Sequence, residues 1–340
     1  MLLHGQHLTS DDTRWVMREV MDESADPAEL AGFLIALRAK GEEPAELRGL
    51  LDALMERAVR VPVDLDDITD IVGTGGDGAH TVNVSTMAAI VVAGAGARVV
   101  KHGGRSVSSK AGAADVLEAL GLPLDLGVED VARCVREVNI SFTFAPRYHP
   151  GLRHANPVRR KLGVPTAINF VAPLTNPANP AAALIGCANE RIARVLAQVM
   201  AERGTLAIVA RGHDGLDEVT TSAPSTLWIT DGGSVRCETV DPADFGIARS
   251  APGALRGGDA AHNAMVVHRV LAGEPGAARD AVLVNAAAAL AIHHLPAAGF
   301  RDAFAAGLDQ ARVAVDSAAA ATTLERWLKL ARSLNAERTG

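Results

Sequence analysis

Four segments of this 340-residue chain have residue types and spacing suited to chemistry. The first is Gly73-Thr74-Gly75-Gly76-Asp77-Gly78, which follows the apolar run Ile68 to Val72 and leads into Asn83, Ser85 and Thr86 at the start of a helical pattern. A glycine-rich turn leaves backbone N–H groups unobstructed, and at a helix N-terminus such groups favour phosphate or pyrophosphate. Gly73-x-Gly75-x-x-Gly78 formally matches a dinucleotide fingerprint. That fingerprint expects an acidic residue about 20 positions on, at the end of the next strand. Here that strand ends in Lys101-His102, which disfavours a nicotinamide dehydrogenase. No Gly-Lys-Ser/Thr follows, so the loop is not a P-loop. On its own the loop also reads as a tight turn capped by Ser85 or Thr86.

The second segment, Lys101 to Lys110, combines His102, Arg105, Ser106, Ser108 and Ser109 with Gly103 and Gly104. Cationic side chains, hydroxyls and exposed N–H groups together suit an anion spread over several oxygens. A solvated surface turn is the alternative. The third segment closes another apolar run with Ala145-Pro146-Arg147-Tyr148-His149-Pro150. The fourth is Asp214-Gly215-Leu216-Asp217-Glu218. Adjacent carboxylates can hold Mg²⁺ through a few oxygens while the ion keeps waters and bridges to phosphate. Without phosphate-type loops nearby, the pair reads more simply as turn carboxylates.

The elements that must position these loops divide the chain. Residues 1 to about 65 read as helices. Ser10-Asp11-Asp12 caps one carrying Trp15, Val16, Val20 and Met21. Asp26-Pro27 opens the next with Leu30, Phe33, Leu34 and Leu37, and Glu43-Pro44 a third with Leu47, Leu50, Leu51 and Leu54. From Ile68 the order becomes strand, loop, helix, strand, with strands over 68–72, 97–100, 140–144 and 206–210. Residues 151 to 200 read as helical, broken by Ala172-Pro173-Leu174-Thr175-Asn176-Pro177. Leu227 to Ile229 and Val235 to Val240 form a hairpin around Asp231-Gly232-Gly233. The last 80 or so residues are helical and Ala-rich. Each of the four segments follows one of the four strands. Ligands of open α/β sheets bind at the carboxyl ends of strands, so the segments are expected around one crevice.

Composition narrows the class further. Hydrophobic residues make up 48% and charged residues 21%, which supports a buried core and excludes a disordered chain. Aromatics are only 3%, so small and aliphatic side chains must build that core. The formal charge of −7 argues against a nucleic-acid or anionic-membrane partner. Cys134, Cys187 and Cys237 lie far apart with no CxxC, and each is expected to be a buried small hydrophobe rather than a zinc ligand or nucleophile. No secretory signal pattern or 18-residue apolar span is present, so a cytoplasmic enzyme is expected.

Together the motifs resemble one family. Gly73-Thr-Gly-Gly-Asp77, Asn83-Val-Ser-Thr86, Lys101-His102-Gly103, Arg105-Ser106-Val-Ser108-Ser109-Lys110, Asp115-Val-Leu-Glu118-Ala-Leu-Gly121, His149-Pro150, Val158-Arg159, Pro173-Leu-Thr-Asn-Pro177, Asp214-Gly-Leu-Asp-Glu218 and Leu255-Arg-Gly-Gly-Asp-Ala-Ala261 run in the order found in the anthranilate phosphoribosyltransferases. The resemblance implies an α/β protein with a small all-helical domain and a larger domain around a central, mostly parallel sheet. The helical domain would comprise residues 1–65 with helices near 165–190, and the α/β domain residues 66–164 and 191–340. It also implies a homodimer, Mg²⁺, and transfer of phosphoribosyl from 5-phosphoribosyl 1-diphosphate (PRPP) to anthranilate with release of pyrophosphate.

By the same resemblance, Gly73, Gly76, Asp77, Thr81, Asn83, Ser85 and Thr86 would line the donor site, with Lys101, Gly103, Arg105, Ser106, Ser108 and Ser109 binding its remaining phosphate groups. Ser85, Asp217 and Glu218 would hold the metal. Arg159 would meet the acceptor carboxylate beside His102, Gly104, His149 and Pro173. Asp77, Lys101 and Arg159 would be the catalytic set. The family pattern has Asn at Gly104, Gly at Ala172 and Glu at His262, and a Ser-rich run where Lys110-Ala111-Gly112-Ala113-Ala114 stands. Donor-side positions therefore match more fully than acceptor-side ones. A relative acting on a different aromatic acid is the alternative, ahead of a nucleoside phosphorylase or a nucleic-acid-binding relative.

Overall fold

A computed structural model describes residues 1–63, 65–106, 109–231, 233–295 and 299–339. Ser108 and Gly232, named above, lie outside the described residues. The chain opens with helices α1 (Ser10–Met21), α2 (Pro27–Lys40) and α3 (Pro44–Glu56). The α1 cap is Thr9, one residue earlier than expected: its hydroxyl accepts from the Asp12 N–H at 3.2 Å, and Asp12 accepts from the Thr9 N–H at 2.8 Å. Asp26 and Pro27 start α2, and its buried stripe is Leu30, Leu34 and Leu37. On α1, however, Met17, Val20 and Met21 are buried and Trp15 stands 63% exposed. The α1–α3 crossing turns a different stripe inward. It is tight: a Cβ on Gly49 of α3 would lie 2.1 Å from the Ser10 carbonyl.

The strands are β1 (Ile68–Gly73), β2 (Arg98–Gly103), β3 (Ile140–Phe144), β4 (Ala182–Gly186), β5 (Leu206–Gly212), β6 (Ser225–Asp231) and β7 (Ser234–Val240), in one sheet of order β3-β2-β1-β4-β5-β6-β7. The first five are parallel, and β6 and β7 add an antiparallel edge. Between them run α4 (Val84–Gly94), α5 (Ala113–Ala119), α6 (Val128–Val138), α7 (Ala145–Tyr148), α8 (Asn156–Leu162), α9 (Ala167–Val171) and α10 (Glu190–Glu202). The chain closes with α11 (Ala260–Leu271), α12 (Ala277–Ala291), α13 (Phe300–Asp316) and α14 (Ala319–Thr339).

Strand β4 corrects the helical reading of residues 151–200. All five of its residues are buried, so it shows no polar alternation, and its Ala-rich sequence carries little strand preference. Neighbouring strand residues divide between two cores. Ile71, Leu184 and Ile208 join α4, α12 and α13 on one face. Val72, Ile185 and Val209 join α1–α3, α9 and α10 on the other. Helix α12 is buried from Ala281 to Ala291, and a Cβ on Gly307 of α13 would meet the Ala287 carbonyl at 2.6 Å. Close packing of small residues thus replaces the missing aromatics. Cys134 and Cys187 are buried as expected, but Cys237 is exposed because it sits on edge strand β7.

Candidate active site

Strand order reverses between β1, whose chain continues outward to β2, and β4, whose chain continues the other way to β5. A crevice at the carboxyl ends is expected at such a switch. Gly73 and Gly186 end these two strands side by side. The Asp214–Glu218 loop lies directly on them: a Cβ on Gly186 would fall 1.7 Å from the Asp217 carbonyl, and one on Gly73 2.6 Å from its carboxylate. Only glycine at both strand ends lets this loop descend so far. The Asp217 carboxylate then accepts the Gly75 N–H at 2.7 Å, tying the acidic loop to the glycine-rich one.

This closeness sets the electrostatics. Loss of solvent contact raises the Asp217 and Glu218 carboxyls above their ordinary range; repulsion from Asp77 adds to it at Asp217, and repulsion from Asp217 and Asp77 adds to it at Glu218, where Lys101 opposes the rise. Burial also lowers the Lys101 ammonium, against the pull of Asp70 and Glu218. The Lys101 Nζ donates to the Ile71 carbonyl at 2.5 Å and to Ser85 Oγ at 3.2 Å. Lys101, Ser85, Asp217 and Glu218 therefore share one end of the sheet. Asp77 Oδ2 is buried without a hydrogen-bond partner. Among the described residues, no three His, Cys, Asp or Glu side chains are grouped to hold a metal by themselves. Two crowded carboxylates and a hydroxyl instead suit a hard cation that completes its shell with water and phosphate oxygens, the habit of Mg²⁺.

The loops after β1 and β2 and the segment before α11 are fastened to one another. The Asn83 side-chain amide donates to the Ala111 carbonyl at 3.2 Å. Thr81 bridges to Arg256, and the Val82 N–H donates to the Leu255 carbonyl at 2.8 Å. Ser106 Oγ and Ser109 Oγ are 2.7 Å apart, and Ser106 receives the Ser109 N–H. Thr86 lies buried in the first turn of α4, and Gly76 is exposed at positive φ in the turn ahead of it. Arg105 does not stand free beside them. It bonds Asp115 at 2.7 Å and Glu118 at 2.8 Å, so its charge is already matched.

On the other side of Lys101, buried His102 and His149 meet edge to face with ring centroids 5.4 Å apart. His102 Nδ1 bonds Thr143 Oγ1 at 3.0 Å, and His149 Nε2 donates to the Thr175 carbonyl at 2.6 Å. Burial lowers both imidazoles, His102 well below its ordinary value, so both are neutral at physiological pH. Pro173 lies in the turn Ala172–Leu174 just before Thr175. Among the described residues, a Cβ on Gly104 would meet nothing within 4 Å. The side chain of Arg159, on α8, bonds only Asn156 of its own helix among the described residues, at 3.0 Å, and its Nε is buried unpartnered.

Three residues outside the expected set hold this arrangement. Asp70 accepts the His102 N–H at 3.1 Å and the Asn176 amide at 2.9 Å, and burial raises its carboxyl to about 6. Asn176 also donates to the Val100 carbonyl at 2.6 Å. Asn263 reaches Asn83. The signal for Asp70 was a lone carboxylate inside an apolar strand, which requires buried partners.

A mostly parallel sheet with a metal-compatible acidic pair, a glycine-rich loop at its strand ends and a helical bundle points to one class, a phosphate-handling transferase. The chain matches the glycosyl transferase family, a/b domain, over residues 65–321 and the helical bundle domain of that family over residues 1–58. It is 57% identical to the anthranilate phosphoribosyltransferase of Salinispora arenicola (strain CNS-205) over 98% of this chain and 95% of that one. It is 54% identical to that of Rhodococcus jostii (strain RHA1), over 98% and 92%. The crystal structure of anthranilate phosphoribosyltransferase from Thermus thermophilus superposes with a TM-score of 0.90 at 36% identity, over 97% of this chain and 98% of that one. The Saccharomyces cerevisiae enzyme in complex with PRPP and Mg gives 0.86 at 26% identity, over 96% and 94%. The chain belongs to the anthranilate phosphoribosyltransferase family.

Proposed function

We infer that this chain transfers the 5-phosphoribosyl group of PRPP to anthranilate, giving N-(5-phosphoribosyl)anthranilate and pyrophosphate with Mg²⁺. The observation that carries this is the joining of the glycine-rich loop and the acidic pair over the paired ends of β1 and β4. The bond from C1′ to the diphosphate oxygen breaks, a bond from the anthranilate nitrogen to C1′ forms, and the amine loses a proton. Positive charge grows on the ribose ring while negative charge grows on the leaving diphosphate, so stabilising the leaving group is the main task. Mg²⁺ supplies charge neutralisation there, with Asp217, Glu218 and Ser85 as its proposed holders.

The residues themselves bind and orient. N–H groups of the 73–78 turn and the α4 N-terminus, with Lys101, receive phosphate oxygens. Asp77, Thr81, Asn83 and Thr86 line the ribose and diphosphate, and Gly103, Arg105, Ser106 and Ser109 of the second loop face the donor's remaining phosphate groups. Arg105 must exchange Asp115 or Glu118 to reach a phosphate. The aromatic acid lies beside the neutral pair His102 and His149, with Gly104 and Pro173 at its edge. Arg159 meets its carboxylate, a task suited to a planar guanidinium. The acceptor amine is already nucleophilic, so orientation matters more than a strong base.

The room beside Gly104 among the described residues keeps a different aromatic acid as the second reading. Pyrophosphate release from PRPP and Mg²⁺, followed with a panel of aromatic acids, separates the two. Turnover with anthranilate supports the first reading, and turnover only with another acid replaces it with the second. Gly104→Asn is expected to lower KM for anthranilate and leave KM for PRPP unchanged.

At larger scale, we propose a helical unit built on residues 1–65, a homodimer, and a cytoplasmic location. Exposed Trp15 and Leu3 on the helical bundle support the dimer. Free thiols and the lack of any described helix long and apolar enough to cross a membrane agree with the location.

A further inference from the structure

Asn263 stands in the second turn of α11, 2% exposed, far along the chain from either donor loop. Its Nδ2 donates to Asn83 Oδ1 at 2.8 Å, and its Oδ1 accepts the Gly258 N–H at 2.8 Å. Asn83 in turn donates to the Ala111 carbonyl at 3.2 Å. Three loops are therefore joined by two side chains: the turn after β1, the basic loop after β2 and the 255–259 segment before α11. The Asn83 amide oxygen and nitrogen are each engaged, which leaves its side chain a single orientation.

We propose that Asn263 is a positioning residue for the donor site, setting Asn83 and the separation of the two phosphate loops without touching substrate. The proposal rests on the PRPP reading above. Backbone bonds hold the 255–257 segment against the donor turn independently. The Gly257 N–H donates to the His80 carbonyl and the Val82 N–H to the Leu255 carbonyl, both at 2.8 Å. Loss of the Asn263 amide therefore frees Asn83 while the segment stays docked. The acceptor side, built on His102, His149 and Thr175, shares no hydrogen bond with Asn263 among the described residues.

The test is steady-state kinetics of Asn263→Ala and Asn263→Asp with PRPP and anthranilate varied separately, alongside thermal melts. Asn263→Asp keeps an oxygen for the Gly258 N–H but turns a second oxygen toward Asn83 Oδ1. Losing one such hydrogen bond predicts a rise in KM for PRPP of about five- to tenfold in both variants, with KM for anthranilate changed less than about twofold. The double variant Asn83→Ala/Asn263→Ala is expected to bind PRPP no worse than Asn83→Ala alone. Equal rises in both KM values, an unchanged KM for PRPP in Asn263→Asp, or multiplicative effects in the double variant would overturn the proposal. Should Asn263→Ala not fold, the Asn263→Asp comparison decides. Wild-type protein that does not consume PRPP would instead remove the functional reading itself.

Discussion

Asp217 and Glu218 are crowded carboxylates, and their arrangement gives the sharpest test at the residue scale. Asp217→Asn or Glu218→Gln removes a proposed metal holder along with part of the repulsion. Activity is expected to fall on the order of 100-fold or more, with a higher Mg²⁺ requirement and no loss of thermal stability. Unchanged Mg²⁺ dependence would place the ion elsewhere. His102 gives a pH prediction. Its folded pKa lies well below the ordinary 6.5 because burial disfavours the imidazolium. Below about pH 6.5 the unfolded chain takes up a proton that the native chain refuses, so His102 stabilises above that pH and loses its contribution as pH falls. Urea unfolding across pH 7 to 5 should show a smaller loss in His102→Gln than in wild type. Parallel curves would contradict the assignment. The sequence displayed the proposed donor loops because glycine, lysine and paired carboxylates are rare in such order. It marked Asp70 only as a lone carboxylate in an apolar strand and did not display Asn176 or Asn263; the bonds that give these residues their roles include partners 32, 106 and 180 positions away.

At the scale of elements, strands flanked by chemical motifs were legible, and β3 falls on the expected residues 140–144. Strand β4 was hidden because a strand buried on both faces has no alternation, and Ala-Ala-Leu-Ile-Gly favours neither state strongly. The buried face of α1 was misjudged at Trp15, since a 3.6-residue period names stripes but not which stripe a neighbour covers. Close approach was equally invisible. Gly49→Ala should cost about 2 kcal/mol at the α1–α3 crossing by overpacking, measured by urea unfolding. Gly186→Ala should displace the acidic loop and abolish Mg²⁺-dependent turnover while secondary structure persists. Full activity in that variant would show that the Asp217 position is not critical.

For the whole molecule, the sheet order explains why loops separated by more than a hundred residues meet at one end of the sheet. The switch between β1 and β4 brings those loops to the carboxyl ends of the two strands, with a helical layer on each face of the sheet. Light scattering should report twice the 35.3 kDa of one chain, with Trp15→Glu shifting the mass toward a single chain. A single-chain mass in wild type would contradict the proposed dimer. The most direct measurement mixes the protein with PRPP, Mg²⁺ and anthranilate and quantifies both products. Transfer to anthranilate predicts pyrophosphate and N-(5-phosphoribosyl)anthranilate in equal amounts, both lost when the metal is chelated. PRPP left intact with anthranilate present, or equal product formation without a divalent metal, would contradict it.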